Sequence, residues 1–377
     1  MTAQRIAVTL AGGVSQPSDQ ARMLTAAAAR PAVPQALEAD LAAAAAAAAV
    51  SWQVGNGVDI VSDGAEGRLS VRLGGFDGPP VPFLPADLAC AGERSWAADY
   101  FTRGPEAGLP SNTSRISYDP APGAARIARF QAALAGHQVA GAFLAAPSPG
   151  TVTLVGTSFY RDPEKFLAAA AAALQQEYRA ITAAGLTLQV DAPDLALSYH
   201  AQYQGMSVEE FRARAQLHAG VLNDALAGID PRQVRLHVCW GSYPGPHHRD
   251  IPLAAVIDIL YSVHAGTLVL EGANPRHRAD WRVFADHKLP AGMILAAGVI
   301  DTATAGVEAP AVVADAIVQV AGVVSRERVI AATDCGFSAA GAPALSAEVA
   351  ELKVQALRAG ADLATRRLWR HPGTAAA

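Results

Sequence analysis

The sequence predicts an α/β fold of the (β/α)8, or TIM barrel, type, with an insertion after the second strand, and three observations carry that expectation. Eight short runs rich in Val, Ile, Leu and Ala alternate in order with helix-forming stretches, the pattern of parallel strands joined by crossover helices. Three of these runs, VRLHVC, TLVLEG and RVIAATDC, finish on chemistry-bearing residues: His237 and Cys239, Glu271, and Cys335. Strand C-termini form the mouth of such a barrel, where its chemistry is kept. Finally, 377 residues, 51% of them hydrophobic, suffice to enclose one large core.

The elements follow in order. Residues 5–10 read as a β-branched first strand ending in Ala11-Gly12-Gly13, and 34–52 as a helix whose alanines form helix readily and pack close to a sheet. The second strand is expected over 58–62, closed by Asp63-Gly64, and the third over 139–145, ending in Pro147-Ser148-Pro149-Gly150. After a helix over 163–184, residues 186–190 form a fourth strand capped by Asp191. Strands five to eight fall at 234–238, 267–270, 293–297 (leading into Gly298-Val299-Ile300-Asp301) and 329–333. Residues 69–138 break the rhythm: they are rich in Gly and Pro, carry Trp96, Tyr100 and Phe101, and include a strand-like stretch at 114–118. They are expected to form an insertion over the barrel mouth, with a hairpin and a helix. The whole of 1–362 then reads as one domain, and the Arg-rich 363–377 as a frayed tail or a contact between copies in a homo-oligomer.

Composition narrows the function. A formal charge of −5 without any Lys/Arg block argues against nucleic acid or an acidic membrane as partner and leaves small molecules. Three cysteines do not make a disulfide framework, so a reducing cytoplasm is expected, with Cys90 read as a small buried hydrophobe. The opening MTAQRIAVTLAGG reads as a strand, not a signal peptide, and the alanine runs are far shorter than a membrane span.

A His, two Cys and a Glu around one barrel mouth make a borderline-soft ligand set suited to Zn2+. His237, Cys239 and Cys335 are the expected ligands. Glu271 is either an exchangeable fourth ligand or a carboxylate waiting beside an open position; a fully closed site would be structural. A substrate thiol, with an ordinary pKa of about 8.5, becomes a thiolate on zinc and can then attack carbon. Core strands do sometimes carry Cys and His for packing alone.

At this point the residues resemble a family. The His-x-Cys at 237–239, Glu271 and Asp334-Cys335-Gly336 look like the zinc site of cobalamin-independent methionine synthases, in their C-terminal catalytic barrel only. Val61-Ser62-Asp63-Gly64, Gln189-Val190-Asp191-Ala192-Pro193 and Gly298-Val299-Ile300-Asp301 extend the likeness through nearly the whole chain. The single-barrel length and the loop Trp240-Gly241-Ser242-Tyr243-Pro244-Gly245-Pro246-His247-His248 resemble a short branch that includes epoxyalkane:coenzyme M transferases. The resemblance implies Asp191 as a contact to a homocysteine amino group. It also exposes departures: Gly13 stands where methionine synthases carry a Ser, Ala65 where they carry a Glu (with Glu66 one place late), and Ala192 where a second Glu stands. The stretch Asp301-Thr302-Ala303-Thr304 lacks the histidine that serves the folate nitrogen. Zinc chemistry thus looks kept while amino-acid and folate recognition look changed. The expected function is zinc-dependent alkyl transfer to a thiol, resembling epoxyalkane:coenzyme M transfer. Methyl transfer to homocysteine and a non-catalytic thiol- or zinc-binding protein are the alternatives.

Further candidates complete the site. His247, His248 or Tyr243 would protonate the oxygen released when an epoxide opens, or else belong to a solvated loop. Asp63 would bind substrate or cap a helix, and Arg68 would clamp a sulfonate or carboxylate or form a surface ion pair. Gly12 and Gly13 would bring backbone N–H groups to an anion. Asp334 would orient His237 or the thiol.

Overall fold

The computed structural model describes residues 4–14, 35–65, 73–81, 109–242, 247–337 and 345–369. Eight strands form one parallel sheet: β1 (Ala7–Val8), β2 (Ile60–Ser62), β3 (Gly141–Pro147), β4 (Thr187–Asp191), β5 (Val234–Val238), β6 (Thr267–Leu270), β7 (Ile294–Ile300) and β8 (Val329–Thr333). Each pairs with its neighbour in sequence, β8 returns to β1, and a parallel bridge between Thr9 and Ile60 closes the ring. The expected (β/α)8 barrel is therefore present. Both faces of these strands are covered, which is why they read as near-continuous apolar runs without alternation.

Besides a further short helix over Pro149–Thr153 after β3, one main helix returns the chain between successive strands, and the last follows β8. In order they are α1 (Gln35–Gly55), α2 (Pro120–Leu134), α3 (Pro163–Ala183), α4 (Val208–Ala225), α5 (Ile257–Ser262), α6 (Val283–Asp286), α7 (Pro310–Val324) and α8 (Ala347–Leu368). Their starts are written locally. Asp119 and Asp162 cap α2 and α3, each just before a proline; Ser207 and Glu210 form a capping box on α4; Ser346 caps α8. Each cap contributes about 1 kcal/mol by satisfying N–H groups that a helix start leaves unpaired. The main core lies between barrel and helices, with Phe130, Tyr178, Phe211 and Trp240 fully buried in it.

Several boundaries differ from the sequence expectation. The strand over 5–10 shortens to Ala7–Val8, and the seventh runs on through Gly298 to Ile300, with a register shift against β8 at that point. Gly298 permits this, since a Cβ there would lie 2.2 Å from Asp334 Oδ1 and 2.9 Å from the Leu270 carbonyl. Within 69–138, Leu73–Gly74 pairs antiparallel with Ser117–Tyr118, and Pro80–Val81 with Leu109–Pro110. Pro120–Leu134 is the barrel's own second helix, with Ile127 and Phe130 in the main core. Helix α8 continues through residue 362 to Leu368. Cys90, Trp96, Tyr100 and Phe101 lie outside the described residues.

Register sets the interior layers. Asp191 on β4 lies level with His237 on β5, and His237 with Val269 on β6 and Ala296 on β7. In-register partners share a face, so the small side chains of Val269 and Ala296 leave interior room for an imidazole and a carboxylate. One layer below, Gln189 pairs with Arg235.

A candidate metal centre at the barrel mouth

His237 lies on β5 and Cys239 immediately after its end, two residues on, so that both reach the mouth. Cys335 arrives from the turn after β8. Its backbone is held by Thr333 Oγ1, which donates to the Cys335 carbonyl at 2.8 Å while accepting the Ala11 N–H at 3.0 Å. The turns after β1 and β8 then meet glycine to glycine. A Cβ on Gly12 would sit 2.9 Å from Gly336 N, and one on Gly336 would sit 2.5 Å from Gly13 N. The Phe337 N–H donates to the Gly13 carbonyl at 2.8 Å. In the structure, then, Gly12 and Gly13 serve the close approach that places Cys335.

The result is a buried trio. Ligand atoms of His237, Cys239 and Cys335 all lie within 4.8 Å of one another, and among the described residues no other such group of His, Cys, Asp or Glu occurs. His237 Nδ1–H donates to Asp191 Oδ1 at 2.9 Å, which fixes the tautomer. Nε2 is buried and has no hydrogen-bond partner. An orphaned imidazole nitrogen beside two thiols is the donor set a Zn2+ ion satisfies, so the residues fit the metal. Without a metal, burial opposes charge on His237, but Asp191 and the neighbouring Cys335 outweigh it and raise its pKa to about 10, so a metal ion binding there would displace the Nε2 proton. The Cys239 thiol donates to Cys335, which holds Cys335 well below the ordinary thiol value, with His237 and Ser242 adding. The same bond, and burial, push Cys239 well above it.

Around the trio, the carboxylates have distinct partners. Asp191 also accepts from Gln189 Nε2 at 2.9 Å, and Gln189 reaches the Ala11 carbonyl at 2.6 Å. Glu271 lies beside the trio, not in it: Oε1 accepts the Trp240 N–H at 2.7 Å and Oε2 accepts Asn274 Nδ2 at 2.7 Å. Burial raises its pKa well above the ordinary carboxylate value. Asp334 holds the turn after β6. It accepts the N–H groups of Gly272, Ala273 and Asn274 at 2.9, 2.8 and 2.9 Å. The orienting role expected of Asp334 toward His237 falls to Asp191 instead, because register sets Asp191 level with the imidazole. Asp63 is ion-paired with buried Arg126, whose Nε and Nη2 donate at 2.6 and 3.1 Å.

In the loop after β5, His247 Nδ1 meets Asp250 Oδ2 at 2.9 Å, and His248 is exposed on the same turn. Glu66, Arg68 and Tyr243 lie outside the described residues. Sequence reasoning missed Arg126, Ser242, His277 and Arg235. Arg235 sits below His237, its guanidinium 4.0 Å above the Phe143 ring and its Nη1 donating to Thr9 Oγ1 at 3.1 Å. Burial lowers its pKa to about 9, with Asp191 opposing. Its signal was available: a charged residue two places before His237 in an apolar strand shares the interior face. Arg126 had no comparable signal, since it lies in a stretch read as insertion.

Fold and site together define a class, a (β/α)8 barrel with a buried His/Cys/Cys trio at its strand C-termini that could hold a metal ion. Residues 125–357 match the family described as cobalamin-independent synthase, catalytic domain, and the chain belongs to that family of transferases. The resemblance read from the sequence holds at this level. Two solved structures are similar along their whole length. One is a B12-independent methionine synthase from Shewanella sp. W3-18-1 in complex with selenomethionine, with TM-score 0.69 and 19% identity, covering 97% of this chain and 99% of that one. The other is a putative vitamin-B12 independent methionine synthase from Listeria monocytogenes, with TM-score 0.67 and 16% identity, covering 97% and 100%. At these identities the likeness shows the fold. No curated protein matches the chain by sequence at a significant level. Among the described residues no helix is long and apolar enough to cross a membrane.

Proposed function

We propose that the protein is a zinc-dependent alkyltransferase that joins a small thiol to an electrophilic carbon. The observation that carries this reading is the buried trio of His237, Cys239 and Cys335, whose ligand atoms lie within 4.8 Å of one another, with His237 Nε2 left without a hydrogen-bond partner. When bound there, zinc supplies a Lewis acid that keeps a substrate thiol in its nucleophilic, deprotonated form. The chain's own residues do the rest. Asp191 keeps the proton on His237 Nδ1, so that Nε2 stays a ligand. Glu271, held by Trp240 and Asn274, waits at the side of the trio. The turn bearing His247 and His248 supplies the proton to the oxygen that leaves carbon.

The structure also bears on which thiol is used. Binding an ammonium group out of water requires carboxylates with unspent charge. Asp63 is committed to Arg126, and Asp191 to His237 and Gln189. This favours a thiol without an amino group, as in epoxyalkane:coenzyme M transfer, over homocysteine. In that reaction the sulfur forms a bond to an epoxide carbon, the C–O bond breaks, and the alkoxide takes up a proton. Zinc K-edge absorption of the metal-loaded protein, alone and with coenzyme M or homocysteine, tests the reading. One added sulfur with coenzyme M alone supports it. An added sulfur with homocysteine points to methyl transfer, and none with either thiol points to a protein that only binds metal.

A further inference from the structure

Next to the strand that carries His237, the segments after β4, β5 and β6 border an open cavity of about 540 Å3. Tyr199, Met206, Arg249, Asp250 and Arg276 are among the residues that line it. Its charge is lopsided. Arg249 and Arg276 are exposed guanidinium groups, while the one carboxylate in the lining, Asp250, is buried. Three imidazoles converge on that carboxylate. His200 Nδ1 lies 3.2 Å from Oδ1, and His247 Nδ1 and His277 Nε2 lie 2.9 and 3.0 Å from Oδ2. The other nitrogen of His277 meets Asp280 Oδ2 at 2.8 Å. Burial opposes charge on His277, but Asp250 and Asp280 outweigh it and raise its pKa to about 10. His277 thus bridges Asp250 and Asp280 behind the wall, and of the charged residues that line the cavity itself the two arginines are the exposed ones.

Local backbone geometry supports a built feature. The turn that carries Arg249 begins at His247, which adopts a φ of +53°, a conformation that favours glycine. The Asp250 N–H closes the turn on the His247 carbonyl at 3.3 Å. Arg276 is placed by the turn after β6, where its N–H donates to Asn274 Oδ1 at 3.1 Å. That turn is the one Asp334 and Asn274 tie to Glu271. Behind Asp250, the His277 ring lies 4.3 Å from the ring of Trp240, the residue following Cys239. One layer of side chains therefore separates the cavity wall from the metal strand. Tyr199 and Met206 add an apolar flank.

We propose that this cavity is an anion subsite, in which Arg249 and Arg276 grip the oxyanion head group (sulfonate, carboxylate or phosphate) of a small ligand with an apolar body. Planar guanidinium forks match such heads in a two-point geometry. The subsite does not depend on the trio transferring an alkyl group, so the two readings fail separately. The test is calorimetric titration of the zinc-loaded protein with ethanesulfonate, glutarate and inorganic phosphate, none of which carries a thiol. The same titrations are run on the Arg249→Gln/Arg276→Gln double variant. Both side chains are exposed, so the variant is expected to keep its zinc content and thermal midpoint, which shows that it is folded. At least one probe is expected to bind the wild type, to weaken at high salt, and to lose about tenfold or more in affinity in the variant. The rank of the three probes identifies the head group. No binding of any probe up to about 10 mM, or equal binding to wild type and variant, overturns the proposal.

Discussion

Asp191→Asn tests the most specific claim about the metal centre. The substitution keeps the shape of the side chain and an oxygen able to accept from His237 Nδ1, now 2.9 Å from the carboxylate, but removes the charge. A charged acceptor makes a hydrogen bond roughly twice as strong as a neutral one. Partners of a ligating histidine typically account for about 10- to 100-fold in metal affinity, or about 1.4–2.7 kcal/mol. Two features place this case toward the upper end. The bond is buried, and Gln189 Nε2 competes for the same oxygen at 2.9 Å, so a weaker acceptor is shared between two donors. The assay is competition for zinc against a chelator of known affinity. Asp191 also faces the buried guanidinium of Arg235, so the variant loses fold stability as well; melting in the presence of chelator measures that part separately. A folded Asp191→Asn protein that holds zinc within about twofold of wild type would refute the claim that this carboxylate sets the imidazole.

Three further outcomes follow from contacts elsewhere. Asp334→Ala leaves the N–H groups of Gly272, Ala273 and Asn274 without their acceptor, and is expected to destabilise the fold by about 2–4 kcal/mol in chemical denaturation. It should lower turnover through Glu271 and still leave zinc bound, because the trio is untouched; loss of zinc would show that Asp334 acts on the ligands. Gly12→Ala drives a methyl to 2.9 Å from Gly336 N, where backbone must move, and is expected to cost about 1–3 kcal/mol and to weaken zinc through Cys335. Unchanged melting and metal affinity would contradict that account. At the opposite end of the barrel, Asp59 accepts the Val8 N–H at 2.8 Å and pairs with Arg5 and with Arg358 Nη1 at 2.9 Å. Asp59→Ala is expected to lower stability by about 3 kcal/mol, as for breaking a buried charge pair, with zinc affinity per folded molecule unchanged.

What could be read without coordinates was whatever the chain encodes within one element. A run of β-branched and aliphatic residues makes a strand wherever it sits, and two-residue spacing puts His237 and Cys239 on one face before any partner strand is known. Capping residues such as Asp119, Asp162 and Ser207 likewise act within a few positions of themselves. These local signals, repeated eight times, were enough for the barrel and for a His/Cys/Cys centre at its mouth. The tertiary structure settled what depends on register and closure. Asp191 became the partner of His237 because β4 and β5 align them, while Asp334, adjacent in sequence to a ligand, turned to the loop after β6. Gly12 and Gly336 stand 324 positions apart by number and need each other only because the ring closes, as Asp63 meets Arg126 only because α2 folds back on the barrel. The convergence of His200, His247 and His277 on Asp250 draws on three separate segments. Parity along a strand is a covalent property, whereas a contact between strands exists only after the chain has given up the entropy of bringing them together.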